Sequence, residues 1–370
     1  MKYYIIAGEA SGDLHGSNLM KALYEEDPNA EIRFWGGDLM QNVGGTLVKH
    51  YRELAFMGFI EVIFNLKTIL SNIKICKNDI AQFKPDVIIY IDYPGFNMRI
   101  AKWAKEKGYK NHYYISPQIW AWKENRITAI KHDIDKMYVI LPFEKDFYEV
   151  KHQFPVEFVG HPLIDAIYNQ SSLVANTFRT ENHLSEKPII AILPGSRKQE
   201  ISKMLSVMLS VVKDFPDYQF VIAGAPSQEL SFYQQFISGE NIKFVSNKTY
   251  SLLRNSTAAL VTSGTATLET ALFKVPEVVC YKGSWASYQI AKRIITLKYI
   301  SLVNLIMDRE VVTELIQDDC STKRIREELT KILEPSYRKT LLENYDLLEE
   351  KLGGIGASKK AAHLIVQAIK

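Results

Sequence analysis

Several short segments of this 370-residue chain place carboxylates, hydroxyls and glycines where apolar runs give way to amphipathic ones. The first segment is Gly8-Glu9-Ala10-Ser11-Gly12-Asp13. Its glycines, with Gly16, are spaced four apart, which excludes both the dinucleotide-binding fingerprint and the P-loop. Ser11 and Asp13 are explained by capping of a tight turn. Glu9 is a candidate functional residue, because a carboxylate in a glycine-rich strand end has no evident structural task.

Asp92 follows the apolar run at 87–91, where an acid is unfavourable unless it is paired or functional. A carboxylate at this position can act as a general base toward a hydroxyl nucleophile. The alternative is an acid that caps the helix predicted to start near Gly95. Pro94 favours an extended link that holds Asp92 at the strand end, so the sequence favours the functional interpretation.

Two segments in the second half predict anion-binding sites. Gly195-Ser196-Arg197 opens a predicted helix, whose N-terminal amides attract phosphate while the arginine adds a bidentate contact. Thr262-Ser263-Gly264-Thr265 forms a similar junction with three hydroxyls. Glu269 shares a helix face with Thr265 and is suited to accept hydrogen bonds from ribose hydroxyls. Together they predict a site for a nucleoside diphosphate.

The elements that must position these residues alternate between short apolar strands and amphipathic helices. Predicted strands lie at 2–7, 32–35, 87–91, 113–115, 137–140 and 157–159, and then at 189–193, 220–223, 242–245, 259–261 and 278–281. This alternation predicts an α/β protein with two doubly wound, Rossmann-like domains. The polar segment at 168–187 is typical of a linker, so we expect domains at 1–168 and 169–336. Residues 337–370 are predicted to form helices that pack back or are exchanged between subunits.

Composition narrows the possible functions. The net charge of +3 does not require a nucleic-acid partner, and three cysteines are too few for a disulfide framework or a zinc site. The sequence has no signal-peptide pattern and no run of about 18 apolar residues, so we expect a cytoplasmic protein. The histidines lack metal-ligand spacing, and Asp133-Ile134-Asp135 precedes a predicted strand instead of following it. We therefore expect neither a metal nor a cofactor.

The segment 57–70 is predicted to form an apolar helix with a narrow polar stripe, followed by Lys74 and Lys77. Such a helix suits an anionic membrane surface, although a buried helix or a subunit contact explains it equally well. The residues expected to touch the membrane are Ile60, Ile63, Phe64, Leu66, Lys67 and Leu70.

In their order and spacing, these segments resemble the lipid-A-disaccharide synthases, a family of GT-B glycosyltransferases. The resemblance runs nearly end to end and is carried by GEASGD at 8–13, MGFIEV at 57–62, PDVIIYIDYPGFN at 85–97, SPQIWAW at 116–122, LPFE at 141–144, FVGHPL at 158–163, LPGSR at 193–197, SGTATLE at 263–269, LVN at 302–304 and 314–317. It implies two domains facing a cleft and condensation of UDP-2,3-diacylglucosamine with 2,3-diacylglucosamine 1-phosphate.

The resemblance also assigns roles to residues. It implies that Asp92 is the general base, and that UDP is held by Gly195, Ser196, Arg197, Ser263, Gly264, Thr265 and Glu269. The acceptor side would be lined by Glu9, Ser11, Gly12, Asn97 and Gln118. Peripheral attachment to the cytoplasmic face of the inner membrane and a homodimer are further implications. In one departure, Gly95 stands where many members have a second acid, so no role of that acid is carried over.

Two alternatives remain open. A UDP-N-acetylglucosamine 2-epimerase of the same fold needs no lipid acceptor, so the apolar helix at 57–70 counts against it. A nucleotide-regulated lipid-binding protein would have no use for an acid at position 92.

Overall fold

The computed structural model describes residues 1–54, 66–170, 177–225, 228–237, 239, 241–283 and 298–370. These residues divide into two compact units, the first comprising Met1–Ala166 with Leu352–Lys370 and the second Ile167–Lys351. The expected membrane residues Ile60, Ile63 and Phe64, and the side chain of Leu66, lie outside the described part. No helix among the described residues has the length and apolar character needed to span a bilayer.

The first unit is built on a parallel sheet in the order β3-β2-β1-β4-β5-β6-β7. The strands are β1 (Lys2–Ala7), β2 (Glu31–Gly36), β3 (Thr46–His50), β4 (Val87–Ile91), β5 (Asn111–Tyr114), β6 (Lys136–Val139) and β7 (Glu157–Phe158). Strand β4 is buried on both faces, as its continuous apolar run predicts. The strand order changes direction between β1 and β4, where Ala7 is the register partner of Ile91.

Helices connect these strands. They are α1 (Ala10–Glu26), α2 (Asp38–Val43), α3 (Leu66–Phe83), α4 (Pro94–Glu106), α5 (Ile119–Trp122), α6 (Ile127–Asp133), α7 (Pro142–Asp146) and α8 (Pro162–Gln170). Short 3-10 helices cover Tyr51–Glu53 and Glu124–Arg126, and a short π-helix covers Phe147–Lys151. The division between the two units falls within α8, after Ala166.

The second unit repeats the architecture with the strand order β10-β9-β8-β11-β12-β13. Its strands are β8 (Ile189–Leu193), β9 (Gln219–Gly224), β10 (Ile242–Ser246), β11 (Ser256–Thr262), β12 (Glu277–Tyr281) and β13 (Glu314–Ile316). Its described helices are α9 (Phe178–Glu181), α10 (Lys198–Leu209), α11 (Leu230–Gln234), α12 (Thr249–Arg254), α13 (Thr265–Leu272), α14 (Leu302–Met307), α15 (Thr322–Leu333) and α16 (Pro335–Lys351), with single turns at Val212–Asp214 and Gln317–Asp319. Here the order changes direction between β8 and β11, where Leu193 pairs with Val261.

The last helix, α17 (Ala357–Ile369), returns to the first unit and packs against α1. Asp165 fixes its start by accepting hydrogen bonds from the amides of Gly356 and Ser358 at 2.7 and 2.8 Å. Of the helices expected within 337–370, α16 thus belongs to the second unit and α17 to the first. Glycines with positive φ separate the two helices.

Candidate active site

The carboxyl ends of β1 and β4 lie side by side, so the Glu9 loop and the Asp92 loop emerge at neighbouring positions. This is the point in the first sheet where the strand order reverses, and ligands of open α/β sheets bind at such points. Glu9 is exposed and precedes α1 without a side-chain capping bond. Its charge acts directly on Asp92, which is half-buried at the end of β4.

The backbone at Asp92 and Tyr93 is left-handed, with φ of 43° and 50°. The extended link expected before Pro94 is thus wrong, since Tyr93 has φ 50° and ψ 52°. Two hydrogen bonds hold the Asp92 carbonyl, from Asn97 Nδ2 at 2.7 Å and from the Tyr113 hydroxyl at 2.6 Å. These hydrogen bonds offset the strain of the left-handed backbone, which costs about 1–3 kcal/mol for each residue in that conformation.

The Tyr93 ring completes this turn by packing over Gly8. A Cβ at position 8 would lie 2.3 Å from the ring, so only glycine permits this approach. The glycine-rich segment after β1 therefore fits the left-handed turn after β4, and each loop fixes the other.

Burial raises the pKa of Asp92 to about 6, and the negative charge of Glu9 adds to the effect, while a hydrogen bond from the Tyr93 amide opposes it. A carboxylate with a pKa near neutrality is better matched to proton abstraction than an ordinary aspartate. The turn therefore presents a group with the properties of a general base.

The remaining residues that were predicted to line the acceptor side fall into two groups, exposed and buried. Ser11 and Gln118 are exposed, at the starts of α1 and α5. Gly12 and Asn97 are buried: a Cβ on Gly12 would lie 3.1 Å from that of Ala7, and Asn97 has no exposed surface. Gly12 and Asn97 therefore pack under the Glu9 and Asp92 loops. The resemblance implied instead that both residues line the acceptor side.

Asp13 has a structural task, but it caps a different helix from the one that the sequence indicated. Its carboxylate accepts hydrogen bonds from the amides of Gly37, Leu39 and Met40 at 2.7–3.1 Å. Asp13, which lies in α1, therefore caps the start of the neighbouring helix α2.

Sequence reasoning missed Glu144, a buried carboxylate in α7. Its oxygens accept hydrogen bonds from Ser116 Oγ and Trp120 Nε1 at 2.5 and 3.1 Å and from the amides of Ile140 and Leu141. Burial raises the pKa of Glu144, and these donors oppose the rise. Glu144 ties the loop after β5 to the loop after β6; the LPFE motif contains it, but no local pattern reveals its distant partners.

In the second unit, the segment Gly195-Ser196-Arg197 leads from β8 into α10. Gly195 has a φ of 99°, and the Ser196 amide donates to Glu200 Oε2 at 3.2 Å. Glu200 lies so close over Gly195 that an added Cβ would meet its carboxylate at 2.2 Å. The loop thus already presents a backbone amide to an anionic oxygen. Arg197 is exposed and forms no ion pair with any residue that the structure describes.

The segment after β11 uses its hydroxyls in different ways. Thr262 is buried, Ser263 Oγ donates to the carbonyl of Ile300 at 2.8 Å, and Thr265 is exposed. Gly264, with φ of 155°, precedes α13. The N-terminus of α13 therefore presents the Thr265 hydroxyl and backbone amides to an anion. Ser263 instead holds the loop in place through its bond to Ile300.

Glu269 has a partner that the sequence did not reveal. Its Oε1 accepts a hydrogen bond of 2.8 Å from the Tyr250 hydroxyl. Burial raises the pKa of Glu269, and this hydrogen bond opposes the rise. Tyr250 also packs on Phe273, which fixes its ring beside the carboxylate. Among the residues described, no group of three or more acids, histidines or cysteines could hold a metal ion.

The sequence as a whole matches a family model described as lipid-A-disaccharide synthetase over residues 3–367. The chain belongs to the lipid-A-disaccharide synthase family. Lipid-A-disaccharide synthase from Syntrophus aciditrophicus is 38% identical over 99% of this chain and 97% of that protein. The enzymes of that name from Idiomarina loihiensis and Coxiella burnetii are 38% and 37% identical, each over 98% of this chain and 97% and 96% of theirs. This family membership makes the chain a glycosyltransferase.

Solved structures show the same fold at low identity. UDP-GlcNAc 2-epimerase from Neisseria meningitidis, bound to UDP-GlcNAc, superposes with a TM-score of 0.67 at 14% identity, covering 100% of this chain and 99% of that chain. The glycotransferase of kitacinnamycin gives 0.64 at 13% identity over 99% and 98%. The lipid-A-disaccharide synthase family thus shares the GT-B fold with epimerases, and the likeness to an epimerase concerns the fold alone.

Proposed function

We propose that the chain transfers a diacylglucosaminyl group from UDP-2,3-diacylglucosamine to the 6-hydroxyl of 2,3-diacylglucosamine 1-phosphate. The products are the β-1,6-linked disaccharide 1-phosphate and UDP. Family membership supports the reaction, and the observation that carries the residue assignment is the Asp92 carboxylate with its raised pKa at the β1–β4 switch point.

Asp92 acts as the general base in this proposal. Its carboxylate accepts the proton of the acceptor 6-hydroxyl as that oxygen attacks the anomeric carbon of the donor. The bond from the anomeric carbon to the UDP oxygen breaks in the same step, so an α-linked donor gives a β-linked product without a covalent intermediate. Glu9, exposed beside Asp92, keeps the pKa of the base high and lies where the acceptor arrives.

The second unit binds the donor and stabilises the departing UDP. The Ser196 amide, Arg197 and the first turn of α13 are assigned to the diphosphate, because backbone amides and an unpaired guanidinium favour a doubly charged leaving group. Glu269, with Tyr250 fixing one of its oxygens, is assigned to the ribose hydroxyls.

Attachment to a membrane is a further part of the proposal. Lys67 is exposed in α3, and Leu70 and Ile75 expose 55% and 42% of their surfaces on the same helix. Exposed apolar side chains beside lysines suit the headgroup region of an anionic bilayer. We propose peripheral binding to the cytoplasmic face of the inner membrane, together with a homodimer that light scattering would detect.

The reaction is tested by mass spectrometry of purified protein with both lipid substrates in detergent and EDTA. The expected result is a tetraacyl disaccharide phosphate and an equal amount of UDP, with Asp92→Asn folded but nearly inactive. The exposed-site variant Asp86→Asn serves as the matched control and should keep full turnover. Failure of the wild type to form disaccharide would refute the function, whereas near-normal turnover of Asp92→Asn would refute only the base.

A further inference from the structure

Three side chains in the loop after β5 form a cluster that the proposed mechanism has not used. Trp122 exposes 54% of its surface, and its ring lies 4.0 Å from Lys123 Nζ and 6.0 Å from Arg126 Cζ. The loop leaves the sheet at the carboxyl end of β5, the strand next to β4 and Asp92. The cluster therefore presents an aromatic face with two cations at this edge of the sheet.

The charge of this cluster is not balanced by its neighbours. Glu124 is the acid within the same turn, and its Oε1 is engaged by Lys151 Nζ at 2.7 Å and His152 Nε2 at 3.0 Å. Neither Lys123 nor Arg126 has a carboxylate within 4.0 Å anywhere in the described ranges, although both are half-buried. The Trp122 ring is a weak partner for these cations, and half-buried cations without a carboxylate suit an anionic ligand.

Arg126 also lies close enough to influence the group that holds Asp92. Burial and the negative charge of Asp92 raise the pKa of Tyr113, and the positive charge of Arg126 opposes them. The Tyr113 hydroxyl is the one that donates to the Asp92 carbonyl. Arg126 therefore lies in the neighbourhood of Tyr113, in the segment that follows the strand beside β4.

The acceptor has a matching distribution of charge. Its reacting hydroxyl is on C6 and its phosphate monoester on C1, at opposite sides of the ring oxygen. With the 6-hydroxyl at Asp92, the phosphate must lie about one sugar ring away from a base that is itself negative. A guanidinium is the side chain best suited to such a phosphate, because it can bind two phosphate oxygens at once.

We propose that Arg126, with Lys123 beside it, binds the phosphate of the acceptor, and that Trp122 covers the adjoining apolar part of the same molecule. This inference rests on the proposed function, because it takes the acceptor to be a sugar 1-phosphate. It makes Arg126 the residue that distinguishes a phosphorylated acceptor from its unphosphorylated counterpart.

The test compares two acceptors, 2,3-diacylglucosamine 1-phosphate and 2,3-diacylglucosamine, in detergent with saturating donor. Arg126→Gln should lower kcat/KM for the phosphorylated acceptor by on the order of 10- to 100-fold, the loss typical of a charge-assisted hydrogen bond. With the unphosphorylated acceptor it should match the wild type within about twofold. Arg126→Lys should recover part of the loss, and Arg99→Gln, at an exposed position of α4, should behave as wild type with both acceptors.

Equal losses with both acceptors would overturn the inference, because Arg126 would then support the Asp92 turn. Unchanged kinetics in Arg126→Gln together with lost sedimentation on phosphatidylglycerol vesicles would overturn it in favour of a membrane contact. Binding of 2,3-diacylglucosamine 1-phosphate alone, measured by calorimetry in micelles, separates this inference from the function. If the wild type forms no disaccharide the function fails, while weaker phosphate-dependent binding by Arg126→Gln would still support the site.

Discussion

Asn97 Nδ2 donates a hydrogen bond of 2.7 Å to the backbone carbonyl of Asp92, five residues earlier in the chain. The same amide points toward the carbonyls of Ile91 and Ile6, at 3.4 and 3.5 Å. One buried amide therefore spans the ends of both strands that meet at the switch point. Its donor character, and not its shape alone, keeps the proposed base in a left-handed turn.

Asn97→Asp tests this relationship, because it keeps the shape and removes the donor. The buried carbonyls would then face a carboxylate, so we expect a loss of about 1–3 kcal/mol in the free energy of unfolding. Turnover should fall at least tenfold as the turn relaxes. Denaturant unfolding and kcat measure the two effects, with Asn42→Asp on the surface of α2 as the control. Unchanged stability and kcat would show that the turn does not depend on this amide.

The pH dependence of activity should reflect the ionisation of the Asp92 carboxyl group. A general base must be ionised, so kcat/KM should fall about tenfold per pH unit below pH 6, the region to which burial raises the pKa of Asp92. Glu9→Gln removes a negative neighbour, lowers the pKa of Asp92 and should move this limb to lower pH. Glu31→Gln, exposed on β2, should leave the limb in place. A limb unaffected by Glu9→Gln would mean that another group titrates.

Asp92→Asn should stabilise the protein at pH 8 while it removes activity. The pKa of Asp92 is raised in the folded state, so between pH 4 and 6 the folded protein binds more protons than the unfolded chain. Stability therefore falls as pH rises through this window, and the asparagine variant escapes that loss. The Tm difference between variant and wild type should be larger at pH 8 than at pH 4. The same difference at both pH values would contradict the raised pKa.

Glu200→Gln should tighten the binding of UDP. The Glu200 carboxylate accepts the Ser196 amide at 3.2 Å and lies over Gly195, where the diphosphate is proposed to bind. Removing its negative charge relieves repulsion, and we expect Kd for UDP to fall about three- to tenfold, or about 1 kcal/mol. Calorimetric titration with UDP measures the change, and Glu229→Gln in the same unit is the control. Weaker binding would instead assign Glu200 to holding the loop.

Gly95→Asp introduces a second acid three residues after Asp92. A Cβ at Gly95 meets nothing within 4 Å, and the residue lies in the first turn of α4, where a carboxylate favours the helix. We expect the free energy of unfolding to rise by about 0.5–1 kcal/mol. The carboxylate interacts favourably with the helix dipole, and replacing glycine reduces the conformational entropy of the unfolded chain. Like-charge repulsion should also raise the pKa of Asp92, so the acidic limb of kcat/KM should move upward. A destabilised variant would show that the turn needs glycine.

The strands that could be predicted from the sequence are those with continuous apolar runs. Strands β1, β4 and β8 begin and end where the pattern places them, because burial on both faces leaves no polar interruption. Strand β3 was missed because it lies at a sheet edge and is only half-buried, so Thr46, Lys49 and His50 interrupt the pattern. Strand β13 has three residues, too few for a periodicity.

Candidate site residues can be predicted from the sequence where a residue violates a local rule, and not where its partner is distant in the chain. Asp92 stands out as an acid after an apolar run, and the carboxyl edge of a sheet can be inferred from strand order alone. The bond from Tyr250 to Glu269 and the bonds from Ser116 and Trp120 to Glu144 join segments that only the fold brings together. The left-handed turn at Asp92 likewise depends on Tyr113, 21 residues later.

The return of α17 to the first unit has a consequence for how the chain folds during synthesis. Ribosomes add about 5–20 residues per second, so the 167–351 stretch delays completion of the first unit by roughly ten to forty seconds. Throughout this interval α1 lacks the cover of α17, and Asp165 lacks the amides that it will cap. The second unit is contiguous and can close first. The unit that the ribosome makes first is therefore the last to mature, and its open surface gives chaperones a defined window in which to act.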